Sequence, residues 1–122
     1  PLEHAALVVT TWQLTMLNNG QQAVSSLPEG LTITAQFQED GRVQGSAGCN
    51  NYFGEYHHDE GRSLSISALA STEMFCNEPA GVMEQEAAFL KAMEQAQRYE
   101  IRQQSLTVYG TDGEVLLQFV AQ

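Results

Sequence analysis

Apolar or β-branched residues alternate with polar residues along most of this chain, in short runs that turn signals separate. A period of two is typical of a strand that buries one face. The alternation predicts about eight short strands, with none between the first run and the second. The predicted strands are residues 11–17, 31–37, 42–47, 52–56, 64–70, 98–102, 105–110 and 114–120.

Turn sequences between these runs predict antiparallel hairpins. QEDG at residues 38–41 joins the second and third strands, HHDEGR joins the fourth and fifth, and TDGE joins the last two. We therefore expect His57 and His58 at an exposed hairpin tip. In the fifth strand we expect two alternating faces, one with Leu64, Ile66 and Ala68 and the other with Ser65, Ser67 and Leu69.

The period changes to that of a helix in residues 78–97, between the fifth and sixth strands. Pro79 lies where the first turn of a helix tolerates proline. One broad apolar face is expected to pack on the sheet, and its residues are Val82, Met83, Ala87, Phe89, Leu90, Met93 and Ala96.

This order of elements, with one α-helix late in the chain and no βαβ alternation, predicts an α+β fold. The sheet should be mostly antiparallel and strongly bent, or a partly closed β-barrel, with the helix over an opening. At 122 residues we expect an N-terminal tail at residues 1–8 and a single domain at residues 9–122. The start of the chain lacks the features of a signal peptide, so we expect that a leader was removed or the chain trimmed.

The charge of the chain limits its partners. Fifteen acidic residues against five basic residues give a formal net charge of −10, which repels the phosphates of nucleic acids. No apolar run approaches the roughly 20 residues that a membrane-spanning helix needs. We expect no nucleic-acid partner, no transmembrane segment and a monomer.

Cys49 and Cys76 are the two cysteines of the chain. Their spacing leaves three interpretations: a disulfide, two buried free thiols, or a metal site that also uses His57 and His58. Adjacent side chains on a strand point to opposite faces, so the two histidines could share an ion only from a turn. We predict no metal site and no cofactor.

We also predict no catalytic residues. Ser46 lies in GSAG, which is not the Gly-x-Ser-x-Gly form of a nucleophile elbow. Glu55, Asp59 and Glu60 are close together in the sequence at a turn, whereas a pair of catalytic carboxylates must face each other across a cleft. The sequence therefore predicts a protein that is not an enzyme.

The motif GSAGCNNYFGEY at residues 45–56 has two interpretations. Glycine and asparagine suit a structural corner, because both adopt backbone conformations that other residues avoid. Polar and aromatic side chains could instead form a contact surface, and its members would be Asn50, Asn51, Tyr52 and Tyr56.

The same motif, followed by LSISALASTEMFC, resembles the signature of the META domain, the HslJ-like family. The resemblance extends from Thr11 to Phe119 and includes an opening Trp-x-Leu and a helix with Glu86, Phe89 and Leu90. The matched signature positions are Gly48, Cys49, Asn50, Thr72, Met74 and Cys76.

The resemblance implies a small antiparallel barrel-like fold with a helix, and neither catalytic residues nor a cofactor. It also implies a heat-shock or stress-response role, or antibiotic tolerance, in the bacterial envelope. We expect a periplasmic or outer-membrane-associated protein, although no lipoprotein anchor is visible in this chain. A location in the envelope favours a disulfide between Cys49 and Cys76, because oxidising compartments stabilise such bonds.

Alternative expectations are a secretion or assembly accessory that binds an unknown protein or peptide, and a protease inhibitor-like domain.

Overall fold

The computed structural model describes residues 6–8, 10–18, 24–26, 30–59, 61–78 and 80–122. Expectations for residues 1–5 of the tail, for Glu60 and for Pro79 lie outside these residues. Side chains are not described for residues 24–26.

Nine strands and one helix form within the described residues, as the predicted α+β class requires. All eight predicted strands are present, and one three-residue strand, β2, was not predicted. The second predicted strand begins later than expected, although the carbonyl of Ile33 still accepts a hydrogen bond from Leu14 at 2.8 Å. The elements are β1 Thr11–Asn18, β2 Val24–Ser26, β3 Thr34–Phe37, β4 Arg42–Ser46, β5 Asn51–His58, β6 Leu64–Ser71, α1 Val82–Glu94, β7 Arg98–Arg102, β8 Ser105–Tyr109 and β9 Val115–Ala121.

The strands form one antiparallel sheet in the order β6-β5-β4-β3-β1-β9-β8-β7, with β2 paired to β1. The sheet curls until its two ends meet at one point. Leu64 donates its backbone N–H to Gln97 at 3.0 Å, and Tyr99 donates to Arg62 at 2.9 Å. The prediction of a strongly bent sheet or partly closed barrel is therefore confirmed.

The helix α1 packs between the two halves of this curled sheet. The ring of Phe89 lies edge-to-face with Tyr52 of β5 at 5.3 Å between centroids, and with Phe119 of β9 at 6.5 Å. Trp12 of the central strand β1 is fully buried and donates its indole N–H to the carbonyl of Leu7 at 3.1 Å. The core therefore lies inside the curl, beneath the helix.

The buried face of the helix differs from the predicted face in three residues. Ala87 is exposed, so its placement in the core was wrong, whereas Glu86 and Ala92 are buried. The helix begins at Val82, directly after Gly81, whose φ of 83° is favourable for glycine. Glu86 tolerates this position because it has hydrogen-bond partners in the interior, described below.

A β-bulge in β6 also changes the predicted alternation. Ala68 has a φ of 55°, and it lies with Leu69 opposite the single residue Gly54 of β5. The extra residue reverses the two faces of the strand. Ala68 is consequently exposed, while Leu69 packs against the core, so the predicted placement of both was wrong.

The close pairing of β3 with β4 requires a residue without a side chain at position 45. A Cβ atom on Gly45 would lie 2.3 Å from the carbonyl oxygen of Thr34, far inside any van der Waals contact. The same oxygen accepts a hydrogen bond from the Tyr52 hydroxyl at 2.7 Å. A side chain here would push β3 away from β4 and break that bond.

We predict that Gly45→Ala lowers the free energy of unfolding by about 3 kcal/mol, because overpacking forces the backbone to shift. Gly61→Ala, at an exposed turn, is the matched control; its added Cβ approaches only an Asp59 carboxylate oxygen, at 3.3 Å. Urea denaturation followed by Trp12 fluorescence measures both variants. Equal unfolding midpoints for the two would contradict the close approach at Gly45.

Candidate functional site

The turn between β4 and β5 is a tight structural corner. Ala47 donates its N–H to the carbonyl of Asn50 at 2.7 Å. Gly48 has a φ of 117°, and an added Cβ would lie 3.0 Å from Leu31 Cδ1, so glycine is required for both conformation and space. The corner interpretation of the GSAGCNNYFGEY motif is therefore the one that the structure supports.

The side chain of Asn50 is buried in this corner and makes four hydrogen bonds. Its Nδ2 donates to Glu86 Oε2 at 2.7 Å and to the carbonyl of Met74 at 3.1 Å. Its Oδ1 accepts from the Thr72 hydroxyl at 2.7 Å and from the N–H of Met74 at 2.6 Å. The amide has two donors and two acceptor positions, so its full capacity is used.

Glu86 joins the helix to the same corner. Its Oε1 accepts the backbone N–H of Asn50 at 2.7 Å and that of Cys49 at 3.1 Å. Hydrogen bonds to a charged carboxylate are stronger than those between neutral groups. Glu86 matches a family motif, but its role is not visible in the sequence, because its partners Asn50 and Cys49 lie 36 and 37 residues away.

The structure joins Cys49 and Cys76 in a disulfide, as the resemblance implied, with 5.8 Å between the Cα atoms. Thr72 adds a second connection, because it donates its N–H to the carbonyl of Asn51 at 3.0 Å. Its hydroxyl accepts the N–H of Asn51 at 3.2 Å. We call this arrangement the signature cluster, and its members are Cys49, Asn50, Thr72, Met74, Cys76 and Glu86.

The predicted contact surface is wrong for three of its four residues. Tyr52 and Tyr56 point into the core, where their hydroxyls donate to the carbonyls of Thr34 at 2.7 Å and of Gln38 at 2.6 Å. Burial raises the pKa of the Tyr52 phenol. Asn50 is also buried, which leaves only Asn51 exposed.

The exposed apolar residues near the signature cluster lie elsewhere, in residues 72–78, which we call the 72–78 segment. It has no regular secondary structure. Phe75 is 76% exposed and Met74 is 55% exposed. Glu73 and Glu78 beside them are also exposed. This surface was not predicted from the sequence, in which Met74 stands out only as a signature position.

The two histidines lie at the end of β5, exposed as expected but within the strand. Asp59 organises the turn after them, because its Oδ1 accepts the N–H of Ser63 at 3.1 Å. Hydrogen bonding to Ser63 lowers the pKa of the Asp59 carboxyl. Among the described residues, no group of three or more His, Cys, Asp or Glu side chains could hold a metal ion.

A family model for the META domain matches residues 5–122, which is nearly the whole chain. The chain belongs to the META domain family. The six signature positions assigned from the sequence lie in or beside the corner described above. No match is found among curated proteins.

Solved structures with the same fold extend this comparison. A protein from Burkholderia xenovorans, solved by NMR, is 26% identical and superimposes with a TM-score of 0.75, over 95% of this chain and 83% of that one. A DUF4847 family protein from Bacteroides vulgatus is 14% identical, with a TM-score of 0.70 over 93% of each chain, and shows the fold alone. In the part of the META domain that the structure describes, no helix is long and apolar enough to cross a membrane.

Replacing Asn50 by Ala would leave Glu86 Oε2 and both backbone groups of Met74 without this partner. Unsatisfied buried groups cost roughly 1–3 kcal/mol each, so we predict that Asn50→Ala lowers the free energy of unfolding by about 4 kcal/mol. The neighbouring Asn51→Ala removes an exposed side chain and should change it by less than about 0.5 kcal/mol. Urea denaturation distinguishes them, and similar losses for both variants would contradict the role of the signature cluster.

The disulfide should contribute separately to stability. We predict that the double variant Cys49→Ala/Cys76→Ala lowers the free energy of unfolding by about 3 kcal/mol, because the cross-link restricts the unfolded chain. Reductant should bring the wild-type protein close to this value and leave the double variant unchanged. In denaturant, a thiol-alkylating reagent should label the wild type only after reduction; labelling before reduction would contradict the pairing.

Proposed function

We propose that this META domain is a non-enzymatic protein of the bacterial envelope that binds a partner protein through the 72–78 segment. The observation that carries the proposal is the 76% exposure of Phe75, next to Met74 at 55%. Large aromatic residues commonly supply most of the binding energy at protein interfaces. Here two large apolar side chains are adjacent in a short segment.

The segment is held in place before any partner arrives. Asn50 binds both the N–H and the carbonyl of Met74, and the disulfide fixes Cys76 immediately after Phe75. Ordering a flexible loop on binding costs free energy, which a pre-organised segment largely avoids. The signature cluster therefore serves the proposed function by fixing the backbone on both sides of Phe75.

The acidic residues near the apolar pair indicate which charges the partner surface should carry. Glu73 and Glu78 flank the apolar pair, and the whole chain carries a formal charge of −10. The complementary surface is an apolar pocket whose rim carries Lys or Arg. Added salt should weaken such a complex, because it screens exposed charges.

An envelope location agrees with two features of the chain. Disulfides persist mainly in oxidising compartments, and the periplasm is one of them. The resemblance to HslJ-like proteins supports the same compartment and a role in stress response or antibiotic tolerance. A secretion or assembly accessory, and a protease inhibitor whose exposed segment enters a protease, are specific forms of the same binding function.

Site-specific photo-crosslinking tests the proposal. A photoreactive phenylalanine analogue replaces Phe75 in one variant and Val120, a 38% exposed residue of β9, in the control, and both are expressed in the periplasm. We expect a discrete protein adduct from position 75 and none from position 120. Adding Met74→Ser should remove the adduct, and raising salt from about 50 to about 500 mM should weaken it.

Mapping of the cross-linked peptide then identifies the partner surface. An apolar pocket bordered by Lys or Arg supports the proposal, and a protease active site would assign the inhibitor function. Equal adducts from both positions, or an adduct from position 75 that neither Met74→Ser nor salt changes, would overturn it. Absence of any adduct from position 75 would do the same.

A further inference from the structure

A groove of about 790 Å³ lies on the outer face of β3, β4 and β5, away from the core. We propose that it binds a neutral oligosaccharide. We call it the amide groove after the side chains that line it, which include Gln36, Gln38, Gln44 and Asn51, together with the aromatic ring of Phe53. The 72–78 segment contributes no lining residue.

The register of the strands places these side chains in a row. Gln36 of β3 is paired with Gln44 of β4, and Gln44 is paired with Phe53 of β5. Their neighbours Phe37 and Val43 are fully buried on the opposite face, so the row faces solvent. Adjacent strands lie about 4.8 Å apart, which spaces the row at intervals close to the size of a sugar ring.

The four amide side chains are available for a ligand. Within the described residues, none of them donates or accepts a hydrogen bond with another protein group. Each amide has donors and acceptors close together, as a sugar hydroxyl does. A row of such groups can therefore satisfy successive hydroxyls of one chain of sugars.

Phe53 supplies the apolar contact that such a ligand needs. Its side chain is 54% exposed although β5 is paired with a strand on both sides. The negative face of an aromatic ring attracts the weakly positive C–H groups on the flat side of a sugar. Gly45 and Gly54 also line the groove, and an added Cβ at either position would collide with a neighbouring strand, at Thr34 and at Leu69.

The charges in the groove and the pairing of its strands argue against a charged ligand and against a peptide that adds a strand. Arg42 and Glu55 line the groove as a directly opposed pair with opposite charges, although the whole chain is strongly acidic. A neutral ligand fits this balance better than an anion or a cation. A peptide that adds a strand needs a free sheet edge, whereas β3, β4 and β5 are each paired on both sides.

Titration of the ¹⁵N-labelled protein tests the proposal, with chitohexaose, cellohexaose and maltohexaose as neutral probes and a Gly-Ser peptide of similar length as the alternative. We expect backbone amide shifts on β3, β4 and β5 with at least one oligosaccharide, at a Kd of about 1 mM. Gln44→Ala and Phe53→Ala should each raise that Kd about tenfold. Both side chains are exposed, so the spectra should remain those of a folded protein.

Matched controls separate the groove from the rest of the surface. Gln95→Ala, on an exposed amide outside the groove, and Phe75→Ala should leave the Kd unchanged. Binding of the peptide but of no oligosaccharide would overturn the proposal, as would no shift with any of the three sugars. Shifts that persist unchanged in Gln44→Ala and Phe53→Ala would also overturn it. Photo-crosslinking from position 75 should continue in Phe53→Ala, so each proposal can fail without the other.

Discussion

The hydrogen bonds that the buried Glu86 accepts hold this domain together at the point where its parts meet. One carboxylate receives the backbone N–H groups of Cys49 and Asn50 and the side-chain amide of Asn50. A buried carboxylate without such partners would be costly, and two backbone N–H groups at a tight corner would also need acceptors. The carboxylate and the N–H groups therefore satisfy one another, and these bonds hold the helix in position over the sheet.

The same corner also fixes the backbone of the exposed 72–78 segment. The side-chain amide of Asn50 hydrogen-bonds to the N–H and the carbonyl of Met74, and the disulfide adds a second connection at Cys76. The residues of the family signature are thus mostly structural, and they fix the backbone on both sides of the exposed Phe75. Among the signature residues, Asn50 is buried and the two cysteines are paired, whereas Met74 is exposed beside Phe75.

Local features of the fold could be predicted from the sequence, because hairpins depend on residues close together in the chain. The QEDG turn and the alternation around it were sufficient to pair β3 with β4. Glu86 was different, since helical periodicity treats a glutamate as exposed and its partner Asn50 lies 36 residues away. The predicted faces of β6 were derived from an unbroken alternation, which the bulge at Ala68 interrupts. The contact-surface interpretation placed Tyr52 and Tyr56 at the surface for their polar tips, but two backbone carbonyls accept hydrogen bonds from those hydroxyls in the interior.

The position of β1 in the sheet has a consequence for how the protein reaches its native state. This strand is near the start of the chain and pairs with β9 at its end, so that Trp12 lies opposite Ala121. Contacts between such distant segments slow folding, because a long loop must close before they form. The central pair of strands can form only after Val115–Ala121 have been synthesised, so a chain that stops before β9 leaves one edge of β1, and with it Trp12, without its partner strand.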